Sequence, residues 1–425
     1  MALIVTKFGG TSLATAQRVC DTARRLVAYR QAGNQVVAVV SAMGKSTDDL
    51  LALARDVNPQ PPARELDMLL STGEQVSMAL VAMAIAAQGL EAVSMTGRQA
   101  GIVTTTTHNR AKISEINTER VRRALDAGRI VIVAGFQGVT VSGDITTLGR
   151  GGSDTSAVAL AAALKADLCE IYSDVEGVYS CDPRVVPRAH KLSEISYIEM
   201  LELAAAGAGV LQMRAVEFAR NFGVELHCRS AFSENPGTYV REATVESAIV
   251  SGIAYDNSET KVTIRKVPDS KGIAAKVFGE VASANVNIDM IVQNSSEDGF
   301  TDISFTTPTG DVERLRGLIE EVIARVGARE LILDDRISKI SIVGAGMRST
   351  PGIAARMFKV LAENDINIGM ISTSAIRVSV VIDEAQTQRA LTALHTAFGL
   401  DADEVFEETA LSVEEQAAKA AKGRA

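Results

Sequence analysis

The chain has 425 residues, of which 47% are hydrophobic and 22% are charged. These values are typical of a globular protein with two or three domains. The formal net charge of −9 argues against general binding to nucleic acid or to an anionic membrane, so any bound phosphate must be held by local geometry. The four cysteines lie far apart and form no C-x-x-C pair, which indicates a reducing compartment and no structural zinc.

We expect neither a signal peptide nor a membrane span. The apolar run at the N-terminus is too short for the hydrophobic region of a signal peptide. The Ala- and Met-rich run over residues 76–89 is too short and too rich in alanine to cross a bilayer.

The first dozen residues contain the first candidate site. Residues 2–6 form a β-branched run that predicts a buried parallel strand, which stops at Lys7. Two glycines then allow a tight turn, and Thr11 or Ser12 could cap a helix predicted over residues 12–31. Lys7 and the free N–H groups of a helix start favour a bound anion, although an ordinary strand-to-helix turn with a surface lysine is the alternative.

A second apolar strand is predicted over residues 35–40, followed by a polar turn. The turn contains Gly44-Lys45-Ser46, which imitates the end of a P-loop, but a valine stands at position 39, where that loop needs a further glycine. We therefore reject a P-loop. Ser41 and Thr47 lie at the ligand-binding edge of a predicted sheet, where they either contact a ligand or satisfy their own backbone.

Helices are predicted over residues 63–70 and 74–88, joined at Ser71-Thr72-Gly73-Glu74. This tetrapeptide has the pattern of a capping box. Glu74 therefore either ties up a backbone N–H or serves a ligand, and its position alone does not decide between the two.

A second glycine-rich turn precedes the Ala-rich helix predicted over residues 157–164, and Arg150 and Asp154 lie within that turn. Arginine presents a planar fork to carboxylate or phosphate, and Asp154 could hold a cation or orient Lys7. Two anion-binding turns in one domain indicate a site more strongly than one does.

The next buried strand, predicted over residues 168–172, is followed by a chemically varied loop. The loop contains a polar pair, a glycine turn, an aromatic ring and an arginine, which suit the base, ribose and phosphates of a nucleotide. The alternative is a surface loop ended by an Asp-Pro turn. The residues concerned are Ser173, Asp174, Tyr179 and Arg184.

In this order, the motifs resemble the signature of aspartate kinases, which belong to the amino acid kinase superfamily. The motifs are Lys7-Phe8-Gly9-Gly10-Thr11-Ser12, Ser71-Thr72-Gly73-Glu74, Gly149-Arg150-Gly151-Gly152-Ser153-Asp154-Thr155, and Ser173-Asp174-Val175 with Tyr179 and Asp182-Pro183-Arg184. The resemblance implies an α/β fold with a mainly parallel sheet between helices. It implies a cytoplasmic enzyme that uses ATP, with Mg²⁺ carried by the nucleotide and no protein-bound metal, to phosphorylate L-aspartate for lysine, threonine and methionine biosynthesis.

The same resemblance assigns roles to individual residues. The catalytic residues would be Lys7, Arg150 and Asp154, with Asp154 organising Lys7. The ATP-binding residues would be Lys7, Phe8, Gly9, Gly10, Ser12, Ser173, Asp174, Tyr179 and Arg184. The aspartate-binding residues would be Ser41, Thr47, Glu74, Arg150, Gly151, Gly152 and Ser153, with Glu74 on the ammonium and Arg150 on the α-carboxylate. One departure is Gly209, which stands where relatives usually carry a lysine that reaches the nucleotide.

Beyond residue 261 the sequence repeats itself 80 positions later. Gly272-Ile273-Ala274-Ala275-Lys276-Val277-Phe278 is matched by Gly352-Ile353-Ala354-Ala355-Arg356-Met357-Phe358, and Asn287-Ile288-Asp289-Met290-Ile291 is matched by Asn367-Ile368-Gly369-Met370-Ile371. Each copy predicts strand, helix, strand, strand, helix, so two small α+β modules follow the first domain. They resemble paired ferredoxin-like ACT domains, which bind amino acids, although modules without a ligand that only dimerise are the alternative.

The ACT resemblance implies lysine or threonine, or both, as effectors, and a homodimer or higher oligomer formed through these modules. The effector contacts would be Asp269, Gly272, Ile273, Ala274, Asn287, Ile288, Asp289, Gln293, Asn294, Pro351, Gly352, Asn367, Ile368 and Ser374. Two departures from the pattern are Lys271, where the family often has proline, and Ala375, where relatives often have glutamate.

The predicted division of the chain follows from the motifs and the repeat. It places a kinase domain over residues 1–245, ACT domains over 246–335 and 336–410, and a polar, helical tail over 411–425. Two other functions share the glycine turns: a sister kinase acting on glutamate or N-acetylglutamate, and a catalytically inactive amino acid sensor, which would explain Gly209.

Overall fold

The structure is a computed structural model that describes residues 1–243, 248–283, 286–294 and 298–401. The tail predicted over residues 411–425 therefore lies outside the described residues. The N-terminal domain contains an eight-stranded sheet and a smaller four-stranded sheet, and two further four-stranded sheets follow it in the chain.

The elements of the N-terminal domain alternate between strands and helices in the manner of an α/β protein. Its strands are β1 Leu3–Phe8, β2 Gln35–Val40, β3 Ala92–Met95, β4 Ile102–Thr104, β5 Ile113–Ile116, β6 Ile130–Ala134, β7 Gln137–Thr140, β8 Ile145–Thr147, β9 Leu168–Ser173, β10 Glu194–Ser196, β11 Leu226–Ser230 and β12 Thr238–Arg241. Its helices are α1 Ala16–Gln31, α2 Ser46–Val57, α3 Ala63–Leu70, α4 Thr72–Ala86, α5 Glu119–Asp126, α6 Gly152–Leu164, α7 Tyr197–Ala205 and α8 Met213–Phe222.

The eight-stranded sheet has the order β10-β12-β11-β9-β1-β2-β6-β3. Strands β11 through β3 run parallel, and β12 pairs with β11 in the antiparallel direction. Strands β1 and β2 lie in the middle, and Ile4, Val5, Val37 and Val39 on them are fully buried. Burial on both faces explains the continuous apolar runs in the sequence. The predicted fold class, a mainly parallel sheet between helices, is confirmed.

Two local predictions near the N-terminus are wrong. Strand β1 does not stop at Lys7, because Lys7 pairs with Val39 on one side and Ile171 on the other. Helix α1 is not capped by residue 11 or 12. A single 3-10 turn, Thr11–Leu13, comes first, and the side chain of Thr15 caps the helix by accepting the N–H of Arg18.

Helices α3 and α4 form one nearly continuous apolar rod. By length and composition alone, residues 63–86 could cross a membrane, so the apolar helical stretch is longer than the run considered from sequence. Helices that pack in a protein core can have the same length and composition. In the structure, α4 packs against α1, β3 and β6, with Val81 and Ile85 fully buried.

The C-terminal region forms two antiparallel sheets, each covered by two helices, in the manner of ferredoxin-like modules. The first sheet has the order β15-β16-β14-β17, and the second has the order β13-β18-β20-β19. The strands are β13 Gly252–Asp256, β14 Glu259–Pro268, β15 Ile291–Gln293, β16 Phe300–Pro308, β17 Glu330–Asp334, β18 Ile337–Val343, β19 Met370–Thr373 and β20 Arg377–Asp383. The helices are α9 Ile273–Ser283, α10 Val312–Val326, α11 Ile353–Glu363 and α12 Thr387–Ala397.

Strand β13 joins a different module from the one that its sequence position suggests. It falls within residues 246–335, predicted as the first ACT domain, yet it pairs with β18 of the second sheet. The chain therefore contributes one strand to the second module before it builds the first. The repeat could not show this, because the choice of sheet edge depends on where the chain leaves the N-terminal domain.

The two modules meet through equivalent positions of the repeat. The Nζ of Lys339 lies 2.5 Å from an oxygen of Glu259, and these residues are 80 positions apart. Met290 and Met370, also 80 positions apart, share a small apolar cluster. An approximate twofold relation between the modules follows, with opposite charges at the equivalent positions 259 and 339.

Candidate active site

The loops after β1, β2 and β9 leave the same edge of the large sheet. The N–H of Gly9 donates to the carbonyl of Tyr172 at 3.2 Å, which joins the loop after β1 to the end of β9. The N–H of Ser41 donates to the carbonyl of Phe8 at 3.1 Å, which joins the loop after β2 to the end of β1. This is the carboxyl edge of parallel strands, where open α/β sheets bind ligands.

Lys7 and Asp154 form an ion pair at the centre of this edge. The Nζ of Lys7 lies 2.6 Å from Oδ1 of Asp154, and the two side chains are 12% and 9% exposed. Lys7 comes from the end of β1 and Asp154 from the first turn of α6. The structure thus brings together the two residues whose pairing the resemblance implied, and both side chains are largely buried.

The first glycine turn is shaped by the backbone that surrounds it. A Cβ on Gly10 would come within 2.8 Å of the Ala42 carbonyl, so only glycine fits there. A Cβ on Gly9 would lie 3.6 Å from the Nζ of Lys7, which places this part of the turn next to the lysine charge. The hydroxyl of Ser12 is buried and has no hydrogen-bond partner among the described residues.

The second glycine turn contains two glycines with positive φ, Gly149 and Gly151, and leads directly into α6. Helix α6 begins at Gly152, five residues before the predicted start, so Ser153 and Asp154 lie in its first turn. Gly151 has a φ of 69°, and a Cβ there would overlap the side chain of Gln212. The first N–H groups of a helix have no partner within the helix, and their partial positive charge adds to that of Lys7.

Glu74 is buried beside the loop that follows β2. Its Oε1 accepts the N–H of Ala42 at 3.1 Å, whereas Oε2 is buried without a hydrogen-bond partner among the described residues. Burial raises the pKa of Glu74 to about 7. The capping-box interpretation does not hold, because Ser71 is helical and its side chain makes no capping hydrogen bond. A buried acceptor without a partner is costly, so this oxygen is suited to a cationic ligand group.

The other predicted aspartate contacts lie around the same edge. The carbonyl of Ser41 accepts a hydrogen bond from the hydroxyl of Ser77 at 2.7 Å, and Thr47 lies in the first turn of α2. Arg150 is exposed, and in the described part of the chain its guanidinium makes no hydrogen bond or ion pair. Its charge is therefore available to a ligand.

The predicted nucleotide residues follow β9 along one loop. Ser173 ends β9, Asp174 is exposed, and Tyr179 pairs with Lys191 through a short β-bridge. The guanidinium of Arg184 is 85% exposed but is held by Asp182, with Nη2 and Oδ2 2.7 Å apart. Arg184 therefore already has a partner, which its sequence position did not reveal.

Gly209 lies in open space near the end of α7. It is exposed, and a Cβ there would meet no atom within 4 Å. The space that a side chain would occupy at this position is open, so a longer residue would fit.

Asp67 is a buried carboxylate that the sequence reasoning missed. It accepts the N–H of Asn109 at 3.0 Å, the ring nitrogen of His108 lies 2.9 Å away, and the hydroxyl of Thr147 lies 2.5 Å away. It thereby ties the loop before β5 to the strand that leads into the second glycine turn. The signal was present in the sequence, because Asp67 shares the inward stripe of the α3–α4 rod with Glu74 at helical spacing.

The predicted effector residues fall at two kinds of position in the two modules. Asp269, Gly272, Ile273 and Ala274 lie at the first strand-to-helix turn of the first module, and Pro351 and Gly352 at that of the second. Asn287, Ile288, Asp289, Gln293 and Asn294 surround β15, while Asn367, Ile368 and Ser374 surround β19. Of this set, Asp289 is engaged across the module interface, where its Oδ2 lies 2.6 Å from the Nζ of Lys339.

Comparison with known proteins agrees with this architecture. A profile of the amino acid kinase family matches residues 2–230, and two ACT domain profiles match residues 262–327 and 340–398. The aspartokinase of Mycolicibacterium smegmatis is 54% identical over 411 residues, which cover 95% of this chain and 98% of the relative.

Two solved structures of E. coli aspartokinase III are similar over 93% of this chain and 99% of their own. The complex with aspartate and ADP, an R-state, has a TM-score of 0.80 at 24% identity and supports the fold. The complex with lysine and aspartate, a T-state, has a TM-score of 0.75 at 25% identity. Because the kinase profile covers more than half of the chain and the mycobacterial relative matches nearly all of it, the chain belongs to the aspartate kinase family of enzymes.

Proposed function

We propose that this chain transfers the γ-phosphoryl group of ATP to the β-carboxylate of L-aspartate, producing 4-phospho-L-aspartate and ADP. The observation that carries the proposal is the contrast at one sheet edge. Lys7, held by Asp154, stands beside a glycine turn, and the carboxylate of Glu74 keeps one buried oxygen without a partner among the described residues. The first arrangement suits phosphates, and the second suits the ammonium of an amino acid.

The chemistry of the acceptor explains why charge compensation matters most. An unperturbed aspartate carboxyl has a pKa of about 3.9, so the nucleophile is ionised at neutral pH and needs no general base. The obstacle is the repulsion between this anion and the nucleotide phosphates. Lys7, Arg150 and the N-terminus of α6 supply positive charge that is already in place, and such preorganised charge is effective in phosphoryl transfer.

Aspartate would bind with its two ends on opposite groups. Glu74 would accept the ammonium, Arg150 would take the α-carboxylate through its guanidinium fork, and Ser41, Thr47 and Ser153 would line the space between them. Glutamate carries the same two end groups with one more methylene, so the distance from Glu74 to the phosphate site would select the shorter substrate.

Mg²⁺ would enter with ATP. Among the described residues, no group of three His, Cys, Asp or Glu side chains could hold a metal ion. We expect the ligands of this ion to come mainly from phosphates and water, which is common for Mg²⁺ in kinases. Bound there, the ion would neutralise part of the phosphate charge.

The loop after β9 would hold the rest of the nucleotide. Ser173 and Asp174 would face the ribose, Tyr179 would lie against the base, and Arg184 would reach the phosphates by exchanging part of its contact with Asp182. With no cationic side chain at Gly209, we expect ATP to bind more weakly than in relatives that carry a lysine there.

The enzyme would be regulated by products of its pathway through the two ACT modules. We infer that 4-phospho-L-aspartate feeds lysine, threonine and methionine biosynthesis and that lysine, threonine or both inhibit the enzyme. A relative of 25% identity was solved with lysine and aspartate in its T-state, which supports lysine first. The effector contacts would be those named above around the two turns and around β15 and β19.

We further propose that two or more copies associate through these modules in the cytoplasm. The cytoplasm is supported by the four cysteines, all of which are free thiols. Light scattering of the purified chain at several concentrations would measure the assembly.

A coupled assay of ADP release tests the proposal. The formation of ADP is measured with aspartate, glutamate, N-acetylglutamate and no acceptor, and the measurement is then repeated with lysine and threonine, singly and together. Release that depends on aspartate supports the proposal. Release with another acceptor would assign a sister kinase, and no release with any acceptor, together with amino acid binding, would assign an inactive sensor.

A further inference from the structure

A Ser–His–Asp chain of hydrogen bonds joins the proposed nucleotide loop to the second ACT module. The hydroxyl of Ser180, the residue after Tyr179, lies 2.9 Å from Nε2 of His395 on α12. The Nδ1 of the same ring lies 2.5 Å from Oδ1 of Asp401. The same loop also contacts the residues just after α12, where Nδ1 of His190 lies 2.7 Å from the carbonyl oxygen of Leu400 and Nη1 of Arg188 lies 3.4 Å from Oδ2 of Asp401.

The hydrogen bonds determine the protonation state of the ring. A carboxylate only accepts, so Nδ1 must carry the proton that is shared with Asp401. Burial lowers the pKa of His395, so the ring is neutral near pH 7 and its Nε2 is an acceptor. Ser180 must then donate its hydroxyl proton to Nε2, while its oxygen accepts the N–H of His190 at 3.1 Å.

This order of groups also occurs in hydrolases, but the surroundings exclude that chemistry. Ser180 and His395 are both fully buried, so no carbonyl substrate can reach the hydroxyl. The serine oxygen is already used by His190 and His395. The arrangement therefore positions a loop and attacks nothing.

The backbone at Ser180 strengthens the connection between the two domains. Its carbonyl accepts the N–H of Ile253 on β13 at 2.7 Å, and β13 belongs to the sheet of the second module. The next residue, Cys181, lies in the apolar core of that module together with Val186. The loop that carries Tyr179 and Arg184 is thus anchored inside the second module.

We propose that His395 is a positioning residue of the kinase reaction, which holds Ser180 so that the loop after β9 presents its side chains to the nucleotide. This inference rests on the nucleotide-binding role proposed for that loop. It makes the second ACT module, through α12, a direct support of the ATP site. A rearrangement of α12 would therefore change the affinity for the nucleotide and leave the aspartate pocket unchanged. Among the interactions described, no residue of this module contacts that pocket.

The test measures ADP affinity with Mg²⁺ by calorimetry, and the KM values for ATP and aspartate, on the full chain. Ser180→Ala removes one hydroxyl. His395→Leu replaces the imidazole ring with an apolar side chain of similar size. His395→Leu also loses the hydrogen bond to Asp401, and Ser180→Ala also loses the one from the N–H of His190, but both variants lose the bond between Ser180 and His395. From the loss of that shared bond we expect ADP to bind roughly 3- to 10-fold more weakly in each variant, with the aspartate KM within about twofold of its original value. The double variant should bind ADP no more weakly than the single variant with the lower ADP affinity, because the two residues act as one unit.

Glu202→Gln is the matched control. It removes an ion pair between α7 and β20, in which Arg377 Nη1 and Glu202 Oε2 are 3.1 Å apart, without touching the nucleotide loop. We expect ADP affinity to be unchanged in this variant. Equal weakening by Glu202→Gln, or an aspartate KM that rises as much as that for ATP, would reduce His395 to a general structural role.

Tyr179→Ala separates this inference from the proposal beneath it. If Tyr179→Ala weakens ADP binding while Ser180→Ala and His395→Leu do not, the positioning role is wrong and the nucleotide role of the loop stands. If none of the three changes ADP binding, the loop does not bind the nucleotide. Should His395→Leu fail to fold, Ser180→Ala alone decides.

Discussion

Two acidic side chains at the same sheet edge, Asp154 and Glu74, differ in whether a positive charge of the protein compensates them. Asp154 is paired within the protein, because the ammonium of Lys7 lies 2.6 Å from it. Glu74 has only the N–H of Ala42 on one oxygen, and its other oxygen has no partner among the described residues. In the first region charge is balanced before a ligand arrives, and in the second it is left for a ligand to balance.

The difference indicates which group orients and which group selects. An internally balanced pair holds a lysine in place for phosphates at low cost. An unbalanced carboxylate is unfavourable in the empty enzyme and becomes favourable only with a cation, so it discriminates in favour of ligands that carry an ammonium. The effects of substitution should therefore fall on turnover at Lys7 and on aspartate affinity at Glu74.

The largest effect is expected for Lys7→Ala. Loss of one preorganised charge in a transition state typically costs about 2.7–4 kcal/mol, so kcat should fall roughly 100- to 1,000-fold. The circular dichroism spectrum should remain that of the folded protein. Lys165→Ala, at the opposite end of α6 from Asp154, is the control and should keep normal turnover. Near-normal kcat in Lys7→Ala would remove this lysine from the mechanism.

Glu74→Gln should act on the substrate and leave the nucleotide alone. Loss of a charged partner for the ammonium should raise the aspartate KM about 10- to 100-fold, which corresponds to roughly 1.5–3 kcal/mol for a hydrogen bond to a charged group. The KM for ATP should stay within a factor of two. Glu65→Gln, on the exposed side of α3, is the matched control and should change neither value. A comparable rise in both KM values would show that Glu74 supports the site only through packing.

The same variant should be more stable than the parent protein at alkaline pH. The pKa of Glu74 is raised from 4.5 to about 7 by burial, so the folded state holds its proton more tightly than the unfolded chain does. The free energy of unfolding therefore falls as pH rises from about 4.5 to 7, by roughly 3 kcal/mol in total, and the loss is complete above that range. Glu74→Gln should recover this amount at about pH 8 and nothing at about pH 4, as measured by urea unfolding.

The pH dependence of aspartate binding should follow the same group. Because only the ionised carboxylate attracts an ammonium, kcat/KM for aspartate should rise with pH through about 7 in the parent enzyme. The profile in Glu74→Gln should lose this step. An unchanged step in the variant would assign the titration to another residue.

The smallest effect is expected at Gly209. Substitution there tests whether an additional positive charge near the proposed phosphate site strengthens ATP binding. Open space surrounds this position, so Gly209→Lys should fold normally. An added cation near the nucleotide should lower the KM for ATP by a few-fold, on the order of the 1 kcal/mol of an exposed charge pair. Gly209→Gln, of similar length without the charge, is the control. No difference between the two would mean that the position does not face the phosphates.

The order of the motifs and the apolar runs was sufficient to predict the α/β class, the main strands and the pair of repeated modules. Such features depend on local periodicity, which a single sequence records directly. The pairing of Lys7 with Asp154 was implied by the resemblance to aspartate kinases, whereas the residues alone left Asp154 either to hold a cation or to orient Lys7.

Contacts between distant segments were decided only by the tertiary structure. The sequence around Ser71 is compatible with a capping box, yet the helix runs through it and Glu74 turns to the N–H of Ala42. Strand β13 joins a module that begins some eighty residues later, and Ser180 finds His395 at a separation of 215 positions. Local pattern is silent on such partners, because their energies depend on which surfaces the folded chain brings together and on how much water it removes from between them.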